Sequence, residues 1–237
     1  MSFERNEYLV SADELATKLG DDNLRLFDAA VHLRPNPKGG YAAVSGQETY
    51  NEAHIPGAVF LDQMAQLSDT GNSLGFTRLP DDQLIQAFAD AGIGENSEVV
   101  LYSSGHTMWA TRAWWLLHYC GHKKVAILDG GLQGWQNDGR ECSTDSASYP
   151  AQTWSSKTLP HRFVDQNAVL SAIDNEAICT VNALAPAVYE GSGDHHYGRR
   201  GHIPKSINVY YDTLLDGGKF RSPESVKQSL ADAGMLD

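Results

Sequence analysis

Cysteine is scarce in this chain. Three occur in 237 residues, Cys120, Cys142 and Cys179, and none belongs to a C-x-x-C pair. So few, placed so unevenly, exclude a disulfide framework and leave reduced thiols as the expectation. Basic residues are the second shortage: 18 Lys and Arg stand against 30 Asp and Glu, for a formal net charge of -12. Nucleic acids and anionic membranes both require a basic surface, so neither is an expected partner, and any anion site must be local. No apolar run reaches transmembrane length, and Met1 to Val10 is polar and charged rather than a secretory leader, so the expected location is cytoplasmic. Metal and hydrolase signatures are also wanting. His118, Cys120 and His122 have no evident fourth ligand and alternate around a helix end, so no metal is expected, and no cofactor motif is present. Tyr102-Ser103-Ser104-Gly105-His106 lacks the leading glycine of the G-x-S-x-G elbow and has no indicated acid partner.

What is present is an α/β pattern. Hydrophobic residues make up 41% of the chain, enough for ordinary packed cores. The organising stretch is Glu98 to Trp115: an apolar strand (Val99 to Tyr102), a small polar loop (Ser103 to Thr107) and a helix opening near Met108. Such a loop lies at the carboxyl end of a strand and the positive end of a helix, where backbone N–H groups can bind an anion. Upstream, Ser11 caps a helix to Leu19 with Glu14 three residues on, Leu24 to Ala30 reads as a strand, and the Pro35, Pro37, Gly39, Gly40 cluster reads as loop. Val59 to Leu61 is a short strand, Pro80 to Ala91 a helix opened by proline and closed by Gly92, and Val125 to Leu128 a strand closed by Asp129-Gly130-Gly131. Trp109, Trp114 and Trp115 read as helix packing residues, and Arg112 as the partner of a carboxylate. Gly139 to Pro160, rich in Ser, Thr and Ala, reads as a linker.

Beyond it the pattern begins again. Val164 to Ile173 repeats the first helix and Ile178 to Asn182 the first strand. Gly201 to Val209 (GHIPKSINV) echoes His54 to Phe60 (HIPGAVF), and Ser222 to Gly234 echoes Leu79 to Gly92. Four matches in one order indicate a duplicated domain. The second copy stops after Met235, Leu236 and Asp237, before the counterpart of the Ser103 loop, so the expectation is an incomplete second domain.

The run Tyr50-x3-His54-Ile55-Pro56-Gly57-Ala58-x2-Leu61, with Leu128-Asp129-Gly130-Gly131 and Trp135, resembles the rhodanese family of sulfurtransferases, and the tandem arrangement resembles the two-domain thiosulfate and 3-mercaptopyruvate enzymes. The resemblance implies two α/β domains, each an open, mostly parallel sheet with helices on both faces: 8–138, of a non-catalytic type; a linker, 139–160; and a partial second domain, 161–237. It implies an activity, sulfane sulfur transfer from a small anionic donor to a thiophilic acceptor through a cysteine persulfide in the second domain. Ser103 stands at the nucleophile position of the first, and a hydroxyl neither ionises near neutral pH nor forms a persulfide. The nucleophile is therefore expected just beyond Asp237, and this chain alone is expected to be inactive. The three cysteines fit structural roles, Cys120 ending a helix, Cys142 opening the linker and Cys179 within a strand.

The resemblance also places donor-binding groups in the Gly191 to Gly201 connector, making Arg199 and Arg200 candidate anion contacts, beside exposed His195 and His196. Glu190, where relatives tend to carry arginine, would repel an anion. His54 is the third candidate contact, facing the second domain's site, with a turn-capping role as the alternative. A chain with half a domain is also expected to associate as a dimer through its uncovered sheet edge. The competing functional class is a non-catalytic rhodanese-like module that binds an anion or a protein.

Overall fold

The computed structural model describes residues 8–37, 40–193 and 198–236 and divides into two compact units. One comprises residues 8–33 and 43–159, the other residues 34–42 and 160–236.

In chain order the first half runs β1 (Leu9–Val10), α1 (Ala12–Lys18), β2 (Leu24–Asp28), β3 (Val31–Pro35), β4 (Tyr41–Ser45), α2 (Gln47–Glu52), β5 (Val59–Phe60), α3 (Asp81–Asp90), β6 (Glu98–Tyr102), α4 (Met108–Tyr119), β7 (Val125–Leu128) and α5 (Gly131–Asn137). Strands β1, β7, β6, β2 and β5 lie side by side in that order, all parallel, with Phe27 opposite Leu101 and Asp28 opposite Tyr102. Successive strand residues point to opposite faces. Phe27, Val99, Leu101 and Ile127 therefore pack under Leu84 and Phe88 of α3 and Leu116 and Leu117 of α4. Leu26, Val100, Tyr102 and Leu128 pack under Leu15 of α1, Tyr50 of α2 and Trp135 of α5. Both faces are covered, as parallel sheets require.

Local chemistry sets the boundaries. The Ser11 hydroxyl accepts from the Glu14 N–H at 3.2 Å while the Glu14 carboxylate accepts from the Ser11 N–H at 2.8 Å, the capping box read from the sequence. Pro80 sits one residue before α3, as its N-cap, rather than inside the first turn. Gly131 opens α5 at φ 56°, and a Cβ there would stand 2.7 Å from the Ser103 carbonyl oxygen, so only glycine lets this helix approach the loop.

Two expectations fail here. The proline- and glycine-rich stretch is partly strand: β3 and β4 pair in a two-stranded sheet around Asn36, whose N–H donates to the Gly40 carbonyl at 2.9 Å; Gly39 lies outside the described residues. Residues 139–159 form no free linker. Ser143 and His54 pair backbone to backbone in both directions, at 2.8 and 3.0 Å. The Tyr149 hydroxyl accepts from the Leu26 N–H at 3.0 Å and donates to the Gly57 carbonyl at 2.9 Å. Gln152 donates from its backbone to Ala89, Trp154 lies against Phe88 and His122, and Leu159 donates to Tyr119. The segment is a strap on the first unit.

The second half comprises α6 (Gln166–Ala172), β8 (Val181–Asn182), α7 (Pro186–Glu190), β9 (Ile207–Asn208), β10 (Leu215–Asp216), β11 (Lys219–Phe220) and α8 (Pro223–Asp232). β8 and β9 pair in parallel, Val181 with Ile207, as β2 and β5 pair Phe27 with Val59. Cys179 precedes β8 rather than lying in it, and it is exposed.

Candidate functional site

The Ser103 to Thr107 loop leaves the carboxyl end of β6, where open α/β sheets bind their ligands. The amides of Ser104 and Gly105 are occupied by the loop's own surroundings. The Ser103 hydroxyl accepts from the Gly105 N–H at 3.0 Å, the Asp28 Oδ1 from the Ser104 N–H at 3.2 Å and the Ala30 N–H at 3.0 Å, and the His106 Nδ1 from the Met108 N–H at 3.1 Å. Asp28 is fully buried, and that burial pushes its carboxyl up to about 6, against the amide and hydroxyl of Ser104 and the amide of Ala30. At neutral pH a carboxylate therefore faces this loop. The anion cradle expected here is a plugged one, with Ser103 only 4% exposed.

None of the three thiols fills a strand-to-helix loop. Cys120 is the C-cap of α4, and burial, reinforced by nearby Asp81 and opposed by Arg78, pushes its thiol up to about 12. Such a group is inert as a nucleophile near pH 7. Cys142 is half-buried, its sulfur accepting from the Gln136 amide at 3.7 Å. Among the described residues no group of three or more His, Cys, Asp or Glu side chains is placed to hold a metal, and no helix is long and apolar enough to cross a membrane.

Among the described residues Arg112 meets no carboxylate, contrary to expectation. Its guanidinium donates to Gln63 Oε1 at 3.0 Å, Ser68 Oγ at 3.1 Å and the Phe76 carbonyl at 2.9 Å, and lies over the Phe76 ring. Burial alone lowers it to about 10. It ties the β5–α3 loop to α4.

His54 presents no nitrogen to solvent. It is fully buried, Nδ1 bonded to the Tyr50 carbonyl at 2.7 Å and Nε2 to the Asp145 carbonyl of the strap at 2.9 Å, with the ring stacked on Tyr50. Both ring nitrogens are thus engaged within the first unit. The second unit repeats the ring stack and the Nδ1 bond. His202 stacks on Tyr189 at 3.7 Å and bonds through Nδ1 to the Tyr189 carbonyl at 2.7 Å. The Tyr189 hydroxyl donates to the Ser206 carbonyl as that of Tyr50 does to Ala58. Lys205 takes the place of Gly57, and both adopt positive φ, 62° and 80°. A lysine there carries strain that glycine avoids, and its ammonium reaches Asp174 at 2.9 Å. Asn182 repeats Asp28 with a neutral amide, its Oδ1 accepting from the Leu184 N–H at 2.9 Å.

In the connector, Arg200 donates to the carbonyls of Gly191, at 3.2 Å, and Gly193, so its guanidinium braces the loop. Arg199 is exposed, and the Glu190 carboxylate accepts from the Ser192 hydroxyl at 3.4 Å. His195 and His196 lie outside the described residues. Arg199 and Arg200 belong to the second unit and His54 to the first.

A parallel five-stranded sheet covered on both faces, a strand–loop–helix at its carboxyl edge and a recurring Tyr–His–Ile–Pro turn define an open, parallel-sheet α/β protein. Residues 11–138 match the Rhodanese-like domain. The chain is 30% identical to the 3-mercaptopyruvate sulfurtransferase of Escherichia coli K12 over 227 residues, covering 92% of this chain and 76% of that protein. It is 28% identical to a putative thiosulfate sulfurtransferase of Mycobacterium leprae, covering 98% and 80%. The crystal structure of SseA from Escherichia coli, a 3-mercaptopyruvate sulfotransferase, superposes with a TM-score of 0.84 at 28% identity, covering 96% of this chain and 84% of that one. The chain belongs to the rhodanese family.

Proposed function

We propose that this chain is the greater part of a sulfurtransferase of the thiosulfate or 3-mercaptopyruvate type, whose persulfide-forming cysteine lies outside residues 1–237. The observation that carries this reading is the content of the strand–loop–helix unit: Ser103 holds the position that the resemblance gives the nucleophile, the Ser104 and Gly105 amides are occupied, and none of the three cysteines stands at such a loop. The names of the relatives support the chemistry. In this reading residues 8–138, extended by their strap to 159, are a non-catalytic first domain. The second domain, from about 160 onward, is incomplete and lacks counterparts of β6 and α4. A cysteine thiolate in that missing loop attacks the outer sulfur of the donor, and the departing group, sulfite from thiosulfate, leaves with the S–S bonding pair. A thiophilic acceptor then takes the sulfur and releases the thiolate. Arg199 contacts the anionic donor and Arg200 fixes the connector that presents it. His54 shapes the first domain instead of touching substrate. In the chain alone, the uncovered side of β8 pairs two copies.

The test is thiocyanate formation from cyanide, with thiosulfate and with 3-mercaptopyruvate, by the 237-residue chain and by a version continued through the next strand, loop and helix. Activity only in the longer version is expected. Turnover by the 237-residue chain would overturn the reading, and single replacement of Cys120, Cys142 and Cys179 would then locate the nucleophile. Silence of both would favour a binding module, a reading the plugged first loop already admits.

A further inference from the structure

Two pairs of adjacent basic residues occur in this acidic chain, Lys123–Lys124 and Arg199–Arg200, and the sulfur chemistry draws only on the second. Lys123 and Lys124 close the turn from α4 into β7, at the amino ends of the strands. Side chains alternate along a strand, so Lys124 shares a face with Ala126 and Leu128, as Glu98 does with Val100 and Tyr102 on neighbouring β6. Leu128, Val100 and Tyr102 are buried, Ala126 and Glu98 are half-buried, and Lys124 is exposed. The cover on this face thins toward the amino ends, and a small alanine stands where it does. A groove of about 450 Å³ opens there, lined by Leu9 and Val10 of β1, Lys18 of α1 and the Lys123–Lys124 pair.

The groove carries more positive than negative charge, since its three lysines meet two carboxylates, Glu14 and Glu98. Both carboxylates are engaged. Glu98 pairs with Lys18, and Glu14 accepts from the Ser11 N–H at 2.8 Å and the Ser11 hydroxyl at 2.7 Å. Among the described residues the ammonium groups of Lys123 and Lys124 meet no carboxylate. Burial first, and the Lys124 charge after it, hold the adjacent His122 below its ordinary value against the Gly94 backbone, so that charge is felt rather than neutralised. On a chain whose net charge is -12, such a spot draws anions that the rest of the surface repels.

We propose that this groove is a binding site for a small amphipathic anion, a carboxylate held by Lys123 and Lys124 on an apolar body lying along Leu9, Val10 and Ala126. A volume of about 450 Å³ is that of a small-molecule site, and apolar walls with a few polar groups to fix orientation are its usual makeup. The exposed amides of Asn23 and Asn96, also in the lining, supply neutral donors beside the lysines. An inorganic ion would leave the apolar wall uncovered. The site is separate from the Ser103 loop, which leaves the opposite end of β6, about 13 Å along the strand. It uses no thiol and no residue of the second unit, so it stands whether or not the chain transfers sulfur.

Sodium octanoate serves as the probe, titrated to about 10 mM into the full chain while methyl and amide shifts are followed by NMR. Saturable shifts at the Ala126 methyl and the Lys124 amide are expected. Lys124→Gln should weaken binding about two- to fivefold, the worth of an exposed ion pair. Ala126→Leu, which fills the groove, should abolish it. The lysine variant changes an exposed side chain and keeps the test independent of how the alanine variant folds. No saturable shift at Ala126, or an unchanged affinity in Lys124→Gln, would overturn the proposal. So would equal binding of octanol, which would make the groove merely apolar, or of inorganic phosphate, which would make it a simple ion site.

Discussion

A single carboxyl shows how the first loop trades stability for its plug. Asp28 is fully buried and bonds two amides through Oδ1, while among the described residues its Oδ2 meets no hydrogen-bond partner. Its folded-state value, raised from 3.8 to about 6, sets the sign of a pH effect. Below 3.8 both folded and unfolded chains hold the proton. Between 3.8 and 6 only the folded chain does, so stability falls as pH rises through that window and stays lowered above it. At about 1.4 kcal/mol per pH unit the penalty approaches 3 kcal/mol. Asp28→Asn keeps the Oδ1 acceptor, as Asn182 does in the second unit, and removes the charge. The variant should gain about 1–2 kcal/mol at pH 7 and nothing below pH 4, read as the difference between variant and parent urea midpoints across that range. The difference matters because His122 acts oppositely. Burial lowers its value from 6.5, so its contribution weakens stability as pH falls below 6.5. A constant gain at every pH would show that Asp28 is not the titrating group.

At the level of elements, the strap is where composition misled. A Ser/Thr/Ala-rich stretch without a helical period looks like a flexible linker because most of its bonds run through the backbone, which composition does not display. Its inward residues are nevertheless spaced by two: Gln152, Trp154, Ser156 and Thr158 are half-buried while Ala151, Thr153, Ser155 and Lys157 are exposed. A tryptophan at the centre of a polar run, on a period of two, was the legible signal. Tyr149→Phe strips the acceptor from the Leu26 N–H and should cost about 1–2 kcal/mol. Trp154→Ala removes a half-buried indole from Phe88 and His122 and should cost about 2–3 kcal/mol, below the figure for a fully buried ring. Urea midpoints with unchanged slope would measure both, and shifts near zero would return the segment to linker status. The helices and the capping box were readable because period and cap are local. The β3–β4 sheet was hidden by its prolines and glycines, and the neutral acceptors of Arg112 by the long sequence separation of Gln63, Ser68 and Phe76.

On the scale of the whole chain the echo between the two halves was visible in the sequence, but their unequal burial was not. HIPKS reads as a weakened HIPGA, yet Lys205 accepts the left-handed backbone that Gly57 takes for free, and the turn survives intact. Among the described residues the second unit has little core. Residues 160–236 bury Ala172, Val209 and Ser206, while Phe163, Val164, Leu170, Ile178 and Ile203 stay substantially exposed. The first unit fully buries Phe27, Leu84, Phe88, Leu101 and Leu117, among many others. Apolar burial is the main favourable term in folding, so the two units should unfold separately, the second at lower denaturant. The tryptophans provide a clean test: all five, Trp109, Trp114, Trp115, Trp135 and Trp154, belong to the first unit. Indole fluorescence therefore reports that unit alone, whereas far-ultraviolet circular dichroism reports helices α6 and α8 as well. In urea the dichroism should begin to fall well before the fluorescence does. Coincident curves would mean one cooperative fold, and would place the stabilisation of residues 160–236 in contacts other than their own core.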